Sequence, residues 1–178
     1  MTPEDFAGRW KHSPMIKFSH RPDFRRGLSD ASSAALSDHG LPQTAEPWLS
    51  FMEFVKVDTA TASLLEEKML YPVGCLANGS FICIDKRSDS LIIFDRNNPD
   101  DLWTLNSSLE ALYESIVIYD EFITEVNRRN PNYSSDFKIP DGMLSELKHR
   151  LTICDPEAMN SHGFWYCELS ALDDGSLC

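Results

Sequence analysis

The sequence predicts an α+β fold, a single domain in which helices pack on a central, mainly antiparallel sheet. Between residues 69 and 106, short apolar segments alternate with turn-forming residues, which is typical of neighbouring strands. After them, residues 107–130 and 140–154 carry apolar side chains at helical spacing. The chain has 178 residues, 42% hydrophobic and 25% charged, an ordinary globular composition that excludes wholesale disorder.

The first 27 residues are predicted to form a basic arm with a short helix, followed by the main domain at 28–178. Thr2 and Pro3 suit a helix start, and Phe6 and Trp10 share one face of that helix. Residues 1–30 hold six basic and four acidic side chains, a net charge of +2. Residues 31–178 therefore carry −14, which gives the total of −12. We expect this arm to pack across the acidic body.

The segment before the predicted sheet is assigned to a helix, a strand and a loop. Residues 28–38 predict a helix that ends at Gly40 in the left-handed conformation. Residues 48–55 are rich in aromatic side chains with partial alternation, which predicts a strand. Residues 59–68 have a weaker pattern and predict a loop with one helical turn.

The centre of the chain predicts an antiparallel meander. Its strands are residues 70–74, 81–85, 91–94 and 103–105, separated by polar turns. Asn78-Gly79 predicts a two-residue hairpin turn with positive φ at both positions. Because residues 81–85 are almost continuously apolar, that strand is expected to be covered on both faces.

A long helix is predicted from residue 107 to Asn130. Ser107 and Glu110 have the spacing of a capping box. The stripe facing the sheet consists of Leu109, Leu112, Tyr113, Ile116, Ile123 and Val126.

The rest of the chain predicts a second helix, a turn and an aromatic plug. The helix starts near Pro140 and stops around Cys154, with Leu144, Leu147 and Leu151 on one side. Residues 155–157 predict a short turn, and residues 164–166 (Phe-Trp-Tyr) a buried aromatic plug near the end.

The charge and the cysteines limit the partners and the compartment. Sixteen Lys and Arg against 28 Asp and Glu argue against nucleic-acid binding and favour a basic partner. The acidic start predicts no signal peptide, and no apolar run is long enough to predict a membrane span. Five cysteines without a CxxC pair indicate reduced thiols. We therefore expect a cytoplasmic protein that contacts neither nucleic acid nor membrane.

The sequence predicts no enzyme activity, no cofactor and no metal. Phosphate-binding glycine loops and the GxSxG and HExxH motifs are missing from it, and its five histidines are scattered. A catalytic pair of Cys83 and His149 is the enzymatic alternative. Cys83, however, lies in an apolar strand, where a thiol usually serves as packing.

One group of charges stands out, and we call it the acidic ridge: Glu110, Glu114, Glu121 and Glu125. On a helix these four project within about 60° of each other, opposite the apolar stripe. Like charges four residues apart cost about 0.2–0.5 kcal/mol each. The ridge is either a solvated face of an acidic protein or a docking surface for a basic partner. We predict the second, with Asp95, Asp100 and Asp101 extending it; Asp120 projects towards the apolar side.

Several segments together resemble the SUKH superfamily of bacterial immunity proteins, most closely its fourth immunity family. The segments are residues 40–42, 48–51, 79–85, 103–110, 155–158 and 164–165, in the family's order. The resemblance implies a protein that binds a cognate toxin, often a nuclease or other nucleic-acid-modifying enzyme, and blocks it by stoichiometric occlusion. It transfers no catalytic residue. A general interaction or regulatory scaffold with the same fold is the alternative, and the oligomeric state stays open.

Overall fold

The computed structural model describes residues 1–19 and 27–174, with the side chain of Asp174 left out. Arg21, Arg25 and Arg26 of the predicted basic arm lie outside the described residues, and so does Cys178. No helix within the described ranges combines the length and apolar character needed to cross a membrane.

The described chain contains eight strands and seven α-helices. The strands are β1 (Met15–Ile16), β2 (Leu41–Pro42), β3 (Thr44–Ala45), β4 (Leu49–Phe51), β5 (Leu70–Leu76), β6 (Phe81–Asp85), β7 (Leu91–Phe94) and β8 (Trp103–Asn106). The helices are α1 (Pro3–Arg9), α2 (Asp30–Ala34), α3 (Thr59–Glu67), α4 (Leu109–Arg129), α5 (Tyr133–Asp136), α6 (Met143–Cys154) and α7 (Phe164–Asp174). A π-helical turn, Ala35–His39, follows α2, and a 3-10 turn, Glu157–Met159, precedes α7.

The predicted meander is confirmed. Strands β3 to β8 form one six-stranded sheet in chain order, and each neighbouring pair is antiparallel. A separate two-stranded sheet joins β1 to β2. Helices pack on the sheet, which confirms the predicted α+β class.

Strand β6 is covered on both faces, as its apolar run predicted. Ile82 and Ile84 belong to the main core, whereas Phe81 and Cys83 belong to a second, smaller core with Leu65 of α3. The prediction of a loop at residues 59–68 is therefore wrong, because α3 is a full helix that closes this second core. Its start is capped by Asp58, whose carboxylate accepts the backbone N–H of Thr61 at 2.9 Å.

The strand predicted at residues 48–55 is shorter in the structure. Only Leu49–Phe51 form β4, pairing with Leu76 to Gly74 of β5. Trp48 has a φ of 60° and is 58% exposed, while Phe54 is 63% exposed. The aromatic residues at both ends suggested a strand, but they lie outside the ladder.

Two glycine-dependent bends differ in detail from the prediction. At the β5–β6 hairpin, Leu76 O accepts from Gly79 N at 3.0 Å, and Gly79 alone has positive φ, at 88°. The loop is thus a three-residue turn with glycine in the left-handed position. Gly40 ends the earlier helix with a φ of 80° and a ψ of −166°, a positive-φ conformation that favours glycine but is not the left-handed helical one.

Helix α4 bears out the predicted apolar stripe, with five members buried and Ile123 half-buried. The predicted capping box is wrong. Ser108 is the cap, because its Oγ accepts the N–H of Ala111 at 3.1 Å. In the predicted capping box, Glu110 would accept the backbone N–H of Ser107. That N–H instead donates to Asp155 Oδ2 at 2.7 Å.

The second predicted helix is confirmed as α6, with Leu147 and Leu151 buried. The predicted aromatic plug is only partly correct. Its three residues begin a helix that the sequence analysis missed, α7, and only Trp165 is buried, with 1% exposure. Tyr166 is 41% exposed.

The described part of the N-terminal segment packs into the main core. Phe6, Trp10 and Phe18 are buried there, and the Phe6 ring lies 4.6 Å from that of Tyr113. The Thr2 cap of α1 forms as predicted, with Asp5 N donating to Oγ1 at 3.1 Å. The division of the chain at residue 27 stays a prediction.

Candidate functional site

The acidic ridge lies on the surface of α4. Glu110 and Glu121 are exposed, and Glu114 and Glu125 are partly exposed. The opposite side of the helix is buried more widely than the predicted stripe, since Ser115, Ile118, Tyr119 and Phe122 are also buried. The ridge is thus a narrow band between two packed flanks.

Three of the four glutamates already have cationic partners. The Met1 amine lies 2.9 Å from Glu114, and Arg150 Nη2 donates to Glu121 at 2.6 Å. Arg128 and Arg129 both donate to Glu125, and these hydrogen bonds lower the pKa of that carboxyl to about 2. One amine and three guanidinium groups thus pair with three of the four carboxylates.

This pairing weakens the field expected from the ridge. The spacing of residues along α4 does not reveal that Met1 and Arg150 reach the helix from distant parts of the chain. Ion pairs at the surface contribute little to stability and are screened by salt. A basic partner could therefore exchange them at small cost. Among the described residues, no ion-pair partner contacts Glu110.

A shallow groove of about 590 Å³ runs beside the ridge between α4 and α6, and we call it the α4–α6 groove. Glu110 and Glu114 line one side, and Arg150 lies on the other. Ile153, 70% exposed, is an apolar side chain at its edge. The groove is mixed in charge.

The predicted aspartates lie in the loop between β7 and β8. Asp100 accepts from Lys68 Nζ at 2.9 Å and is almost fully exposed. Asp95 Oδ1 accepts the backbone N–H of Asn97 at 2.9 Å, which shapes the turn. Asp101 Oδ1 lies 3.8 Å from His162 Nδ1. Asp120, at the apolar side of α4 as expected, pairs with His12 at 3.2 Å.

Asp95 and Asp101 line a second groove of about 460 Å³, which we call the aromatic groove. It shares no lining residue with the α4–α6 groove. The structure therefore places the seven predicted contact residues in two groups, the ridge on α4 and the aspartates in the β7–β8 loop.

Sheet pairing and a helix start build the aromatic groove. The pairing of Leu49 with Leu76 brings Trp48 beside the hairpin loop, and Trp103 pairs with Ile93. The backbone N–H of Thr104 donates to His162 O at 3.0 Å, which joins the start of α7 to β8. The aromatic side chains that line the groove are Trp48, Trp103 and Phe164.

Glu168 of α7 also lines this groove and is only 8% exposed. Its Oε1 accepts from the Tyr119 hydroxyl at 2.9 Å. Burial raises the pKa of Glu168, while the Tyr119 hydrogen bond opposes that rise. Burial and the charge of Glu168 raise the pKa of Tyr119. Glu168 was not among the predicted contact residues, because α7 itself was not predicted from the sequence.

The cysteine chemistry considered from the sequence is not supported by the geometry. Cys83 has no exposed surface in the second core, and burial raises its pKa, which disfavours the thiolate. Its suggested partner His149 is exposed on α6. Burial also raises the pKa of Cys154. Within the described ranges, no group of three or more His, Cys, Asp or Glu side chains could hold a metal ion.

Comparison with protein families gives one finding. A family model described as SUKH-4 immunity protein matches residues 20–171, which is most of the chain. Comparisons with curated proteins and with solved structures give no match.

Proposed function

The chain belongs to the SUKH-4 immunity protein family, and from this premise we propose that it binds and neutralises a cognate bacterial toxin. The family match carries the proposal, since it extends over residues 20–171 and so over nearly the whole described fold. We further propose that the toxin is a basic protein, a nuclease or another enzyme that modifies nucleic acid.

The proposed mechanism is stoichiometric occlusion without turnover, in the cytoplasm. An enzyme that acts on nucleic acid presents positive charge to the phosphate backbone. A chain with a net charge of −12 is attracted to such a surface and competes for it. The same charge disfavours nucleic acid and anionic membranes as partners of this chain. Neither a cofactor nor a metal is part of the proposal.

The proposed contact surface comprises the acidic ridge and the aspartates of the β7–β8 loop, Asp95, Asp100 and Asp101. The ridge would exchange its internal ion pairs for contacts with the toxin, since those pairs are partly exposed and therefore weak. Asp95 and Asp101 line the same groove as exposed Trp48, a residue type that often dominates binding energy.

A genetic experiment tests the proposed function against the alternative of a general interaction or regulatory scaffold. The gene is deleted in a strain that carries the gene of the cognate toxin and in a strain that lacks it. We expect the deletion to be lethal only where the toxin gene is present. A phenotype that does not depend on the toxin gene would support the scaffold.

Affinity capture adds a physical readout to the same strains. The tagged chain should retain one basic protein, and it should retain less of it as the salt concentration rises. The proposed function is wrong if the chain retains no basic protein from the toxin-bearing strain and deletion is harmless there.

A further inference from the structure

We propose that the aromatic groove is a socket for an arginine side chain that the toxin presents. This inference rests on the proposed function and adds which surface of the chain makes the central contact and which side chain enters it.

The walls of the groove suit a guanidinium group. Trp48 is 58% exposed, and Trp103 and Phe164 are half-buried beside the same cavity. A guanidinium stacks on aromatic faces, with an attraction that increases when the cation is removed from water. Trp48 is also held at a φ of 60°, a rare conformation for a bulky residue. The chain thus holds a large apolar ring at the surface in a costly conformation.

The charge of the groove is negative and poorly compensated. Three carboxylates line it, those of Asp95, Asp101 and Glu168, and none of the described lining residues is a lysine or an arginine. Within the described ranges, the groups that contact these carboxylates are Asn97, Asn98, His162 at 3.8 Å and the Tyr119 hydroxyl, and none of them is a lysine or an arginine. On the acidic ridge, by contrast, guanidinium or amine groups pair with three of the four glutamates. The groove is therefore the better place for a cation from outside.

The shape and polarity of the groove favour arginine over lysine. A volume of about 460 Å³ is within the range of small-ligand pockets. Arginine is planar, is less strongly hydrated than lysine and can donate two parallel hydrogen bonds to a carboxylate. A groove lined by aromatic rings and carboxylates offers both kinds of contact to one side chain.

The test uses N-acetyl-arginine amide as the probe and follows the tryptophan indole N–H signals of the full chain by NMR. We expect the signals of Trp48 and Trp103 to move with a dissociation constant of about 1–10 mM, typical of so small a ligand. The signal of Trp165 should stay in place, because its indole is buried and donates to Asn106. N-acetyl-lysine amide and the uncharged citrulline analogue should bind at least about fivefold more weakly.

Matched variants separate the socket from general electrostatics. The double variant Asp95→Asn, Asp101→Asn removes two charges from the groove and should weaken arginine binding at least about tenfold. The variant Glu66→Gln, Glu67→Gln removes two charges from the exposed side of α3 and should leave the dissociation constant within about twofold. Trp48→Ala should weaken binding at least about threefold.

The inference is overturned by any of three results: no movement of the Trp48 and Trp103 signals, equal binding of arginine and lysine, or equal losses in the two double variants. Its failure can be told apart from that of the proposed function. If the groove variants protect toxin-bearing cells as well as the native chain does, the socket is wrong and the immunity function stands. If the native chain gives no protection, the immunity function fails whatever the probe does.

Discussion

At the residue scale, a small polar network fixes where α4 and α7 begin. Asp155 Oδ2 accepts from the Ser107 backbone N–H at 2.7 Å and from Asn106 Nδ2 at 3.0 Å. Asn106 Oδ1 in turn accepts the indole N–H of Trp165 at 3.1 Å. Because the Ser107 backbone N–H is bonded to Asp155, Ser107 does not form a capping box, and Ser108 caps the helix. Because Asp155 is distant in sequence, a capping pattern read along the chain selected the wrong serine.

Replacing the two serines tests this assignment. Ser108→Ala removes the side chain that accepts from Ala111 N and should cost about 1 kcal/mol of unfolding free energy, within a range of about 0.5–2. Ser107→Ala should cost less than about 0.5 kcal/mol, since its backbone contact to Asp155 is retained. Urea denaturation of both variants measures the difference. A larger loss for Ser107→Ala would restore the predicted capping box.

Glu168 gives a second prediction at this scale. Because burial raises its pKa, the folded state favours the protonated carboxyl. The contribution of Glu168 to the free energy of unfolding therefore falls as the pH rises from the ordinary glutamate pKa of about 4.3 through the raised pKa of the folded state. Above the raised pKa, the full cost of the buried charge applies. Glu168→Gln keeps an oxygen for the Tyr119 hydroxyl and removes the buried charge.

We expect Glu168→Gln to have a higher thermal midpoint than the native chain at neutral pH, with the gain shrinking as the pH falls towards about 4. Thermal unfolding across a pH series measures this. Glu67→Gln, on the exposed side of α3, is the control and should show no comparable gain. A Glu168→Gln variant that is less stable at neutral pH and unchanged at low pH would contradict the raised pKa.

At the element scale, the sequence predicted well what local patterns specify. The meander and α4 have strong signals, because turn residues separate the strands and apolar residues repeat along the helix. Helix α3 was missed because its stretch is rich in threonine and alanine and has few apolar residues to form a stripe. Helix α7 was missed because three consecutive aromatic residues suggested a plug, although only Trp165 enters the core.

The candidate site was less predictable than the fold. The spacing of the ridge glutamates along α4 could be read from the sequence, and all four reach the surface. Their partners could not, since Met1 and Arg150 come from distant parts of the chain. The aromatic groove joins a β-turn, a hairpin, a loop and α7, so its composition depends on tertiary packing.

Charge reversal on α4 tests whether the ridge contacts the toxin. Glu114→Lys with Glu121→Lys should weaken toxin binding at least about tenfold, because like charges would face each other across the interface. The fold should persist, since the two ion pairs lost lie at the surface, where Glu114 and Glu121 are partly exposed to solvent. Calorimetric titration measures the affinity, and circular dichroism checks the fold.

A control with the same change in net charge is available on α3. Glu66→Lys with Glu67→Lys also changes the net charge by +4, but at a site outside the proposed interface. If both double variants weaken binding equally, the effect is one of overall charge. Unchanged affinity in the α4 variant would remove the ridge from the interface.

At the scale of the whole molecule, charge and family point to the same role. The chain carries −12, its described N-terminal segment packs into the main core, and the SUKH-4 match extends over residues 20–171. An acidic body of this kind accelerates its encounter with a basic protein, and salt reduces that acceleration. Occlusion requires, in addition, that the chain binds the toxin in a one-to-one complex.

The most direct measurement is a titration of the toxin's activity with the purified chain. Occlusion predicts that activity falls linearly and vanishes at one equivalent of the chain, with association that slows as salt increases. Complete loss of activity at a small fraction of one equivalent would indicate turnover and contradict the account. So would full activity in the presence of excess chain.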